Sequence, residues 1–284
     1  MQPLNAGHVR AAVQTALAED IGPGDVTSLA TVPANARFTV VMRAREPLVV
    51  AGLAFAEVAF KALSPSVRVK RLTRDGRRVK AGAGLLKISG PARAILSAER
   101  VALNFVQRLS GVATLTAQYV SAVKGTRAQI LDTRKTTPGW RAFEKYAVAC
   151  GGGRNHRLGL HDLVLIKDNH LAALRAAKPN PVAAAIQRAR KKFPRLKVEV
   201  EADTLGQVRQ AVAAGADIIL LDNMSPAQLQ RAVKLVTGRA KTEASGGVNL
   251  KTVRVIGKTG VDFVSVGALT HSARAVDIGL DFER

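Results

Sequence analysis

Several short apolar runs in this chain end on residues that can do chemistry. Asp132, with Arg134 and Lys135 just beyond, follows Ile130-Leu131; Lys167 follows Leu163-Val164-Leu165-Ile166; Glu201 closes Val198-Glu199-Val200; Asp222 closes Ile218-Ile219-Leu220-Leu221. Two more runs end on Ser245-Gly246-Gly247 and on Gly267. Arginine and lysine gathered in a concave, partly dry place attract phosphorylated or carboxylated metabolites, and a guanidinium binds a carboxylate in two-pronged fashion. Glycines beside a strand end let backbone approach a phosphate. The chemistry expected is recognition of an anionic small molecule, with carboxylates of the protein close by.

Parallel strands place such residues together. The runs are short and apolar, as expected of strands buried on both faces, and helix-period segments separate most of them. In a (β/α) barrel the C-terminal strand ends converge on one site, and the last two βα loops commonly hold a phosphate. Six runs qualify as strands after residue 125, which favours an incomplete barrel over the eight-stranded form. A doubly wound sheet is the alternative, but the first βα turn, Thr133-Arg134-Lys135-Thr136-Thr137-Pro138-Gly139, has no Gly-x-Gly-x-x-Gly fingerprint.

Ahead of the barrel, residues 8–19 read as a helix, 37–50 and 67–89 as β segments with a helix at 52–63 between them, and 92–123 as a long helix broken at Ser110-Gly111. The expected fold is therefore α/β: an N-terminal α+β sandwich domain over residues 1–110, an open α/β barrel over 111–270, and a C-terminal segment, 271–284, packing back toward the first domain.

With 284 residues, 47% of them hydrophobic, the chain can bury an ample core. One cysteine, Cys150, rules out an intramolecular disulfide and argues for a reducing compartment. No signal peptide is read, and the most apolar stretch, residues 48–63, is too short to span a bilayer and carries Glu57 and Lys61. A cytoplasmic protein without membrane partners is expected. The formal charge of +22 would suit a nucleic-acid binder, but aromatics are only 4% and no stacking platform or zinc-finger pattern occurs. His156 and His161 lack a third ligand at a recognised spacing, so no zinc site is expected.

A family resemblance rests on an ordered set of motifs: Glu99-Arg100-Val101-Ala102-Leu103-Asn104, Asp132-Thr133-Arg134-Lys135-Thr136, Gly151-Gly152-Gly153 followed by His156-Arg157, Lys167-Asp168-Asn169-His170, Leu221-Asp222-Asn223, Ser245-Gly246-Gly247 and Val266-Gly267-Ala268-Leu269. These resemble the quinolinate phosphoribosyltransferases. The resemblance implies a barrel of about seven strands and transfer of phosphoribose from phosphoribosyl pyrophosphate to quinolinate. Loss of CO₂ then gives nicotinate mononucleotide and pyrophosphate, a step of NAD biosynthesis.

The same resemblance implies the site. Lys135, Glu201 and Asp222 would be catalytic, and Arg100, Thr133, Arg134, His156, Arg157, Lys167, Ser245, Gly246, Gly247, Val266, Gly267 and Ala268 would bind substrate. Mg²⁺ carried by the pyrophosphate would meet Glu201 and Asp222, directly or through water. Only one of Glu199 and Glu201 is expected to face the barrel interior, and the resemblance selects Glu201. A homodimer or higher even oligomer is implied, with Arg100 supplied to the partner's site. A relative acting on another pyridine acid is the closest competing reading.

Overall fold

The structure, a computed structural model, describes residues 4–283 and divides into two compact units. Among the described residues the first comprises 4–117, 137–152 and 272–283, and the second comprises 118–136 and 153–271. Residues 137–152, which the sequence places in the barrel, are thus part of the first unit.

In the first unit an antiparallel sheet runs in the order Ile278–Phe282, Arg37–Ala44, Gly84–Pro91, Arg68–Arg71. The chain's last strand is an edge of its first sheet. Helix Ala6–Ile21 begins at Asn5, whose side chain accepts from the His8 N–H, and buries Val9, Val13 and Leu17 at helical spacing. Phe55 of helix Leu53–Leu63 stacks on Phe105 at 4.7 Å, and Phe105 stacks on Trp140 at 5.0 Å.

Helix Ala92–Ala122 is continuous through Ser110-Gly111, against the expected break. The glycine is there for close approach, since a Cβ at Gly111 would lie 2.0 Å from the Arg274 carbonyl oxygen. Ser110 Oγ accepts from the Ala51 N–H and donates to the Ala51 carbonyl. A residue pair that reads as a helix breaker is a contact surface.

The second unit holds six parallel strands in the order Gln129–Leu131, Phe263–Ser265, Lys241–Ser245, Ile218–Asp222, Val198–Ala202, Val164–Ile166. Helices alternate with most of them, and their starts are written in the sequence. Asn180 caps Pro181–Lys192, while Thr204 with Gln207 and Ser225 with Gln228 form capping boxes for the next two. All six expected strands are present. Where the resemblance implies a seventh, there is a single parallel bridge from Leu131 to Arg154.

The sheet curls into an open barrel. His156 follows the bridge beyond one edge of the sheet, yet its Nε2 lies 3.1 Å from Glu199 and 3.6 Å from Glu243. Counted across a flat sheet at about 4.8 Å per strand, those residues would be roughly 24 and 14 Å away. Among the described residues no helix is long and apolar enough to cross a membrane.

Candidate active site

Glu201 and Asp222 stand at neighbouring strand ends, and their carboxylate oxygens gather with one from Asp203, all within 4.8 Å of one another. Three carboxylates so placed suit a hard cation, which takes oxygen ligands. Lys167 Nζ lies 3.4 Å from Glu201. Burial raises the Glu201 pKa while the Lys167 charge opposes the rise. Asp222 accepts from Asn223 Nδ2 at 2.6 Å. Asn223 itself has φ 53°, and its N–H donates to the Ser245 carbonyl.

That contact ties the Asp222 strand end to the glycine loop. A Cβ at Gly246 would lie 2.1 Å from Asn223 Oδ1, and both Gly246 and Gly247 have positive φ. The loop is shaped for glycine only. A second loop pair is equally tight: Thr270 Oγ1 donates to the Lys135 carbonyl at 2.6 Å, and a Cβ at Gly267 would come 3.0 Å from Lys135 Cδ. Thr133 Oγ1 accepts from the Lys135 N–H, which holds the Arg134-Lys135 turn. Val266 is buried and its N–H donates to Leu131, while Ala268 opens the short helix Ala268–His271.

Buried Asp132 anchors the remaining cationic segment, accepting from the His156 N–H at 2.8 Å and from Asn155 Nδ2 at 2.6 Å. Arg157 Nη1 donates to the Leu163 carbonyl. Burial, and then the nearby Arg134 charge, lower the Arg157 pKa. Two guanidiniums held near each other are arranged for an anion that relieves both.

Deeper in the barrel lie Glu199 and Glu243, both essentially inaccessible to water. Burial, reinforced by the Glu199 carboxylate, pushes the Glu243 pKa up to about 8. Glu199 and Glu201 therefore both face the interior, correcting the expectation that only one does; residues two apart on a strand share a face. The strand buries Val198, Val200 and Ala202 on its other side.

Thr133, Arg134, Lys135, His156, Arg157, Lys167, Glu201, Asp222, Ser245, Gly246, Gly247, Val266, Gly267 and Ala268 thus all belong to the second unit. Arg100 does not. It is exposed, with Asn104, on the long helix of the first unit. Arg108, which the sequence aligns with them on one stripe, is half-buried instead. It donates to the Ala273 carbonyl and to Glu144, whose carboxylate also accepts from Thr137. Asp203 and Thr270 were not singled out from sequence, Asn223 was read only as part of the Leu221-Asp222-Asn223 motif, and Glu199 was set aside in favour of Glu201 without being paired with Glu243. A capping motif, Thr204-x-x-Gln207, marks the loop of Asp203, but nothing local marks Thr270 or the pairing of Glu199 with Glu243.

Residues 25–110 match the quinolinate phosphoribosyl transferase N-terminal domain and residues 112–281 match its C-terminal domain. The chain belongs to the quinolinate phosphoribosyltransferase family. It is 46% identical to the carboxylating nicotinate-nucleotide pyrophosphorylase of Mycobacterium leprae, over 96% of each chain. It is 44% identical to the chloroplastic enzyme of that name from Arabidopsis thaliana, over 97% of this chain and 83% of the other. The solved nicotinate-nucleotide pyrophosphorylase of Francisella tularensis superposes with a TM-score of 0.93 at 39% identity, covering 99% of this chain and 98% of that one. The phosphoribosyltransferase motifs and the barrel thus agree on one family.

Proposed function

We propose that this chain transfers the 5-phosphoribosyl group of phosphoribosyl pyrophosphate to the ring nitrogen of quinolinate, releasing pyrophosphate and CO₂ and leaving nicotinate mononucleotide for NAD biosynthesis. It is a pentosyltransferase. The observation that carries the reading is the pairing, within one barrel, of the cations Arg134, Lys135, Arg157 and Lys167 with the carboxylates Glu201 and Asp222.

Quinolinate brings two adjacent carboxylates, and Arg134, Arg157, Lys135 and Lys167 hold them while stripping water from the ring nitrogen. That nitrogen attacks the anomeric carbon as the bond to pyrophosphate breaks. Positive charge grows on the ribose, and Glu201 and Asp222 offset it and bind its hydroxyls. The Ser245-Gly246-Gly247 and Gly267-Ala268 loops offer backbone to the phosphates. Mg²⁺ bound with the pyrophosphate would meet the Glu201, Asp203 and Asp222 oxygens, directly or through water, and supply charge stabilisation for the leaving group. After transfer, the C2–carboxylate bond breaks, its electron pair stays on C2 beside the quaternised nitrogen, and C2 takes up a proton.

Arg100 serves the site of a partner subunit in this reading, which makes the enzyme a homodimer or a higher even oligomer. The single cysteine suits a reducing, cytoplasmic setting. A related enzyme acting on a monocarboxylate such as nicotinate would use fewer cations. Comparing quinolinate with nicotinate, each with and without a chelator, tests both points. Turnover of quinolinate alone, abolished by chelation, is expected; preference for nicotinate overturns the assignment of the acceptor.

A further inference from the structure

The reaction as described leaves two buried carboxylates unused. Glu199 and Glu243 are 0% and 1% exposed, and Ser265 lies in hydrogen-bond reach of Glu243. His156 Nε2 lies against both, 3.1 Å from one and 3.6 Å from the other. Two carboxylates this close and this dry need a proton or a cation between them.

The far side of the histidine ring decides which. Nδ1 accepts the Arg157 backbone N–H at 2.7 Å, so it is bare, and a neutral imidazole then carries its proton on Nε2. A histidine that ligates metal through Nε2 has the reverse arrangement, with Nε2 bare and Nδ1–H donated to an acceptor. An imidazolium would set a second N–H against that of Arg157. The proton-bearing Nε2 therefore faces the carboxylate pair, with Glu199 nearest.

We propose that Glu199, backed by Glu243, is a positioning residue that locks His156 in its Nε2–H form, so that Nδ1 fixes the Arg157 backbone and holds its guanidinium beside Arg134. Asp132 clamps the same segment from the other side through the His156 N–H. This rests on the reading of Arg157 as a ligand of the quinolinate carboxylates.

The test compares wild type, Glu199→Gln and Glu199→Leu. Glutamine still offers an oxygen to Nε2–H and an amide to Glu243; leucine offers neither. The ¹⁵N spectrum of histidine-labelled enzyme, with His156 assigned by loss of its signals in His156→Asn, should show a protonated Nε2 and bare Nδ1 in wild type and Glu199→Gln. In Glu199→Leu the quinolinate KM should rise about tenfold or more, as for loss of a histidine's orienting carboxylate. The phosphoribosyl pyrophosphate KM should stay within about twofold. Glu199→Gln should recover most of the quinolinate affinity. A bare Nε2 in wild type, a stoichiometric divalent metal in the purified enzyme, or equal quinolinate KM in all three folded proteins would each overturn the proposal. If Glu199→Leu does not fold, the wild-type spectrum and the glutamine variant still decide. If wild type fails to use quinolinate, the functional reading falls instead, and the tautomer measurement stands apart from it.

Discussion

At the scale of residues, the site works by placing like groups in unlike surroundings. Glu201 meets Lys167 near the strand end, while Glu199 and Glu243 sit in a dry interior where burial, and then the Glu199 carboxylate, raise the Glu243 pKa. A carboxyl with a raised folded-state pKa takes up a proton on folding, so its contribution is fully present below its ordinary value and is lost as pH rises through the folded one. For Glu243 that window runs from 4.5 to about 8. Wild-type stability in urea should fall across it, whereas Glu243→Gln, neutral throughout, should show a flatter profile and gain on wild type above pH 8. A variant profile parallel to wild type would contradict the raised Glu243 pKa. On the acceptor side, Lys135→Ala and Arg157→Ala should each weaken quinolinate binding by about 1.5–3 kcal/mol, the range for hydrogen bonds to charged groups, with the fold intact. Calorimetry on folded variants checks this, and unchanged affinity would remove those residues from the site. Arg134, Lys135 and Lys167 were legible in the sequence because they follow apolar runs, whereas Arg157 was legible only through the family motif. The Glu199–Glu243 pair was not, because its partner His156 comes from a stretch without regular structure and meets it only when the sheet curls.

At the scale of elements, short-range rules placed nearly everything that has a period or a cap. All six parallel strands follow from short apolar runs, and the helices after Asn180, Thr204 and Ser225 start on capping residues. The rules failed where tertiary contact overrides local preference. Ser110-Gly111 reads as a break but is a seat for the chain at Arg274, inside a helix that packing keeps continuous. Gly111→Ala, a helix-favouring change in isolation, should therefore destabilise the protein by about 1–3 kcal/mol through overpacking. A neutral or higher melting temperature would show that the two backbones can part at little cost. The expected seventh strand likewise shrank to the Leu131–Arg154 bridge, because Asn155 and the His156 N–H turn to Asp132 instead of extending a ladder.

For the whole molecule, the charge of +22 suits anionic substrates, and the proposed function has an oligomer in which Arg100 would act across subunits. Arg100→Ala and Lys135→Ala should each be nearly inactive as homodimers. Mixed under subunit exchange they should regain activity, since each mixed dimer has one site with both lesions and one with neither, so about one quarter of all sites are intact at random pairing. A mixture that stays inactive after exchange is shown by mass would confine Arg100 to its own chain or remove it from the reaction. The central claim, decarboxylating transfer to quinolinate, is tested most directly by following a labelled 2-carboxylate through one reaction with phosphoribosyl pyrophosphate and Mg²⁺. One equivalent of labelled CO₂ should appear for each nicotinate mononucleotide formed; label retained in the nucleotide, or nucleotide formed without label release, would contradict it.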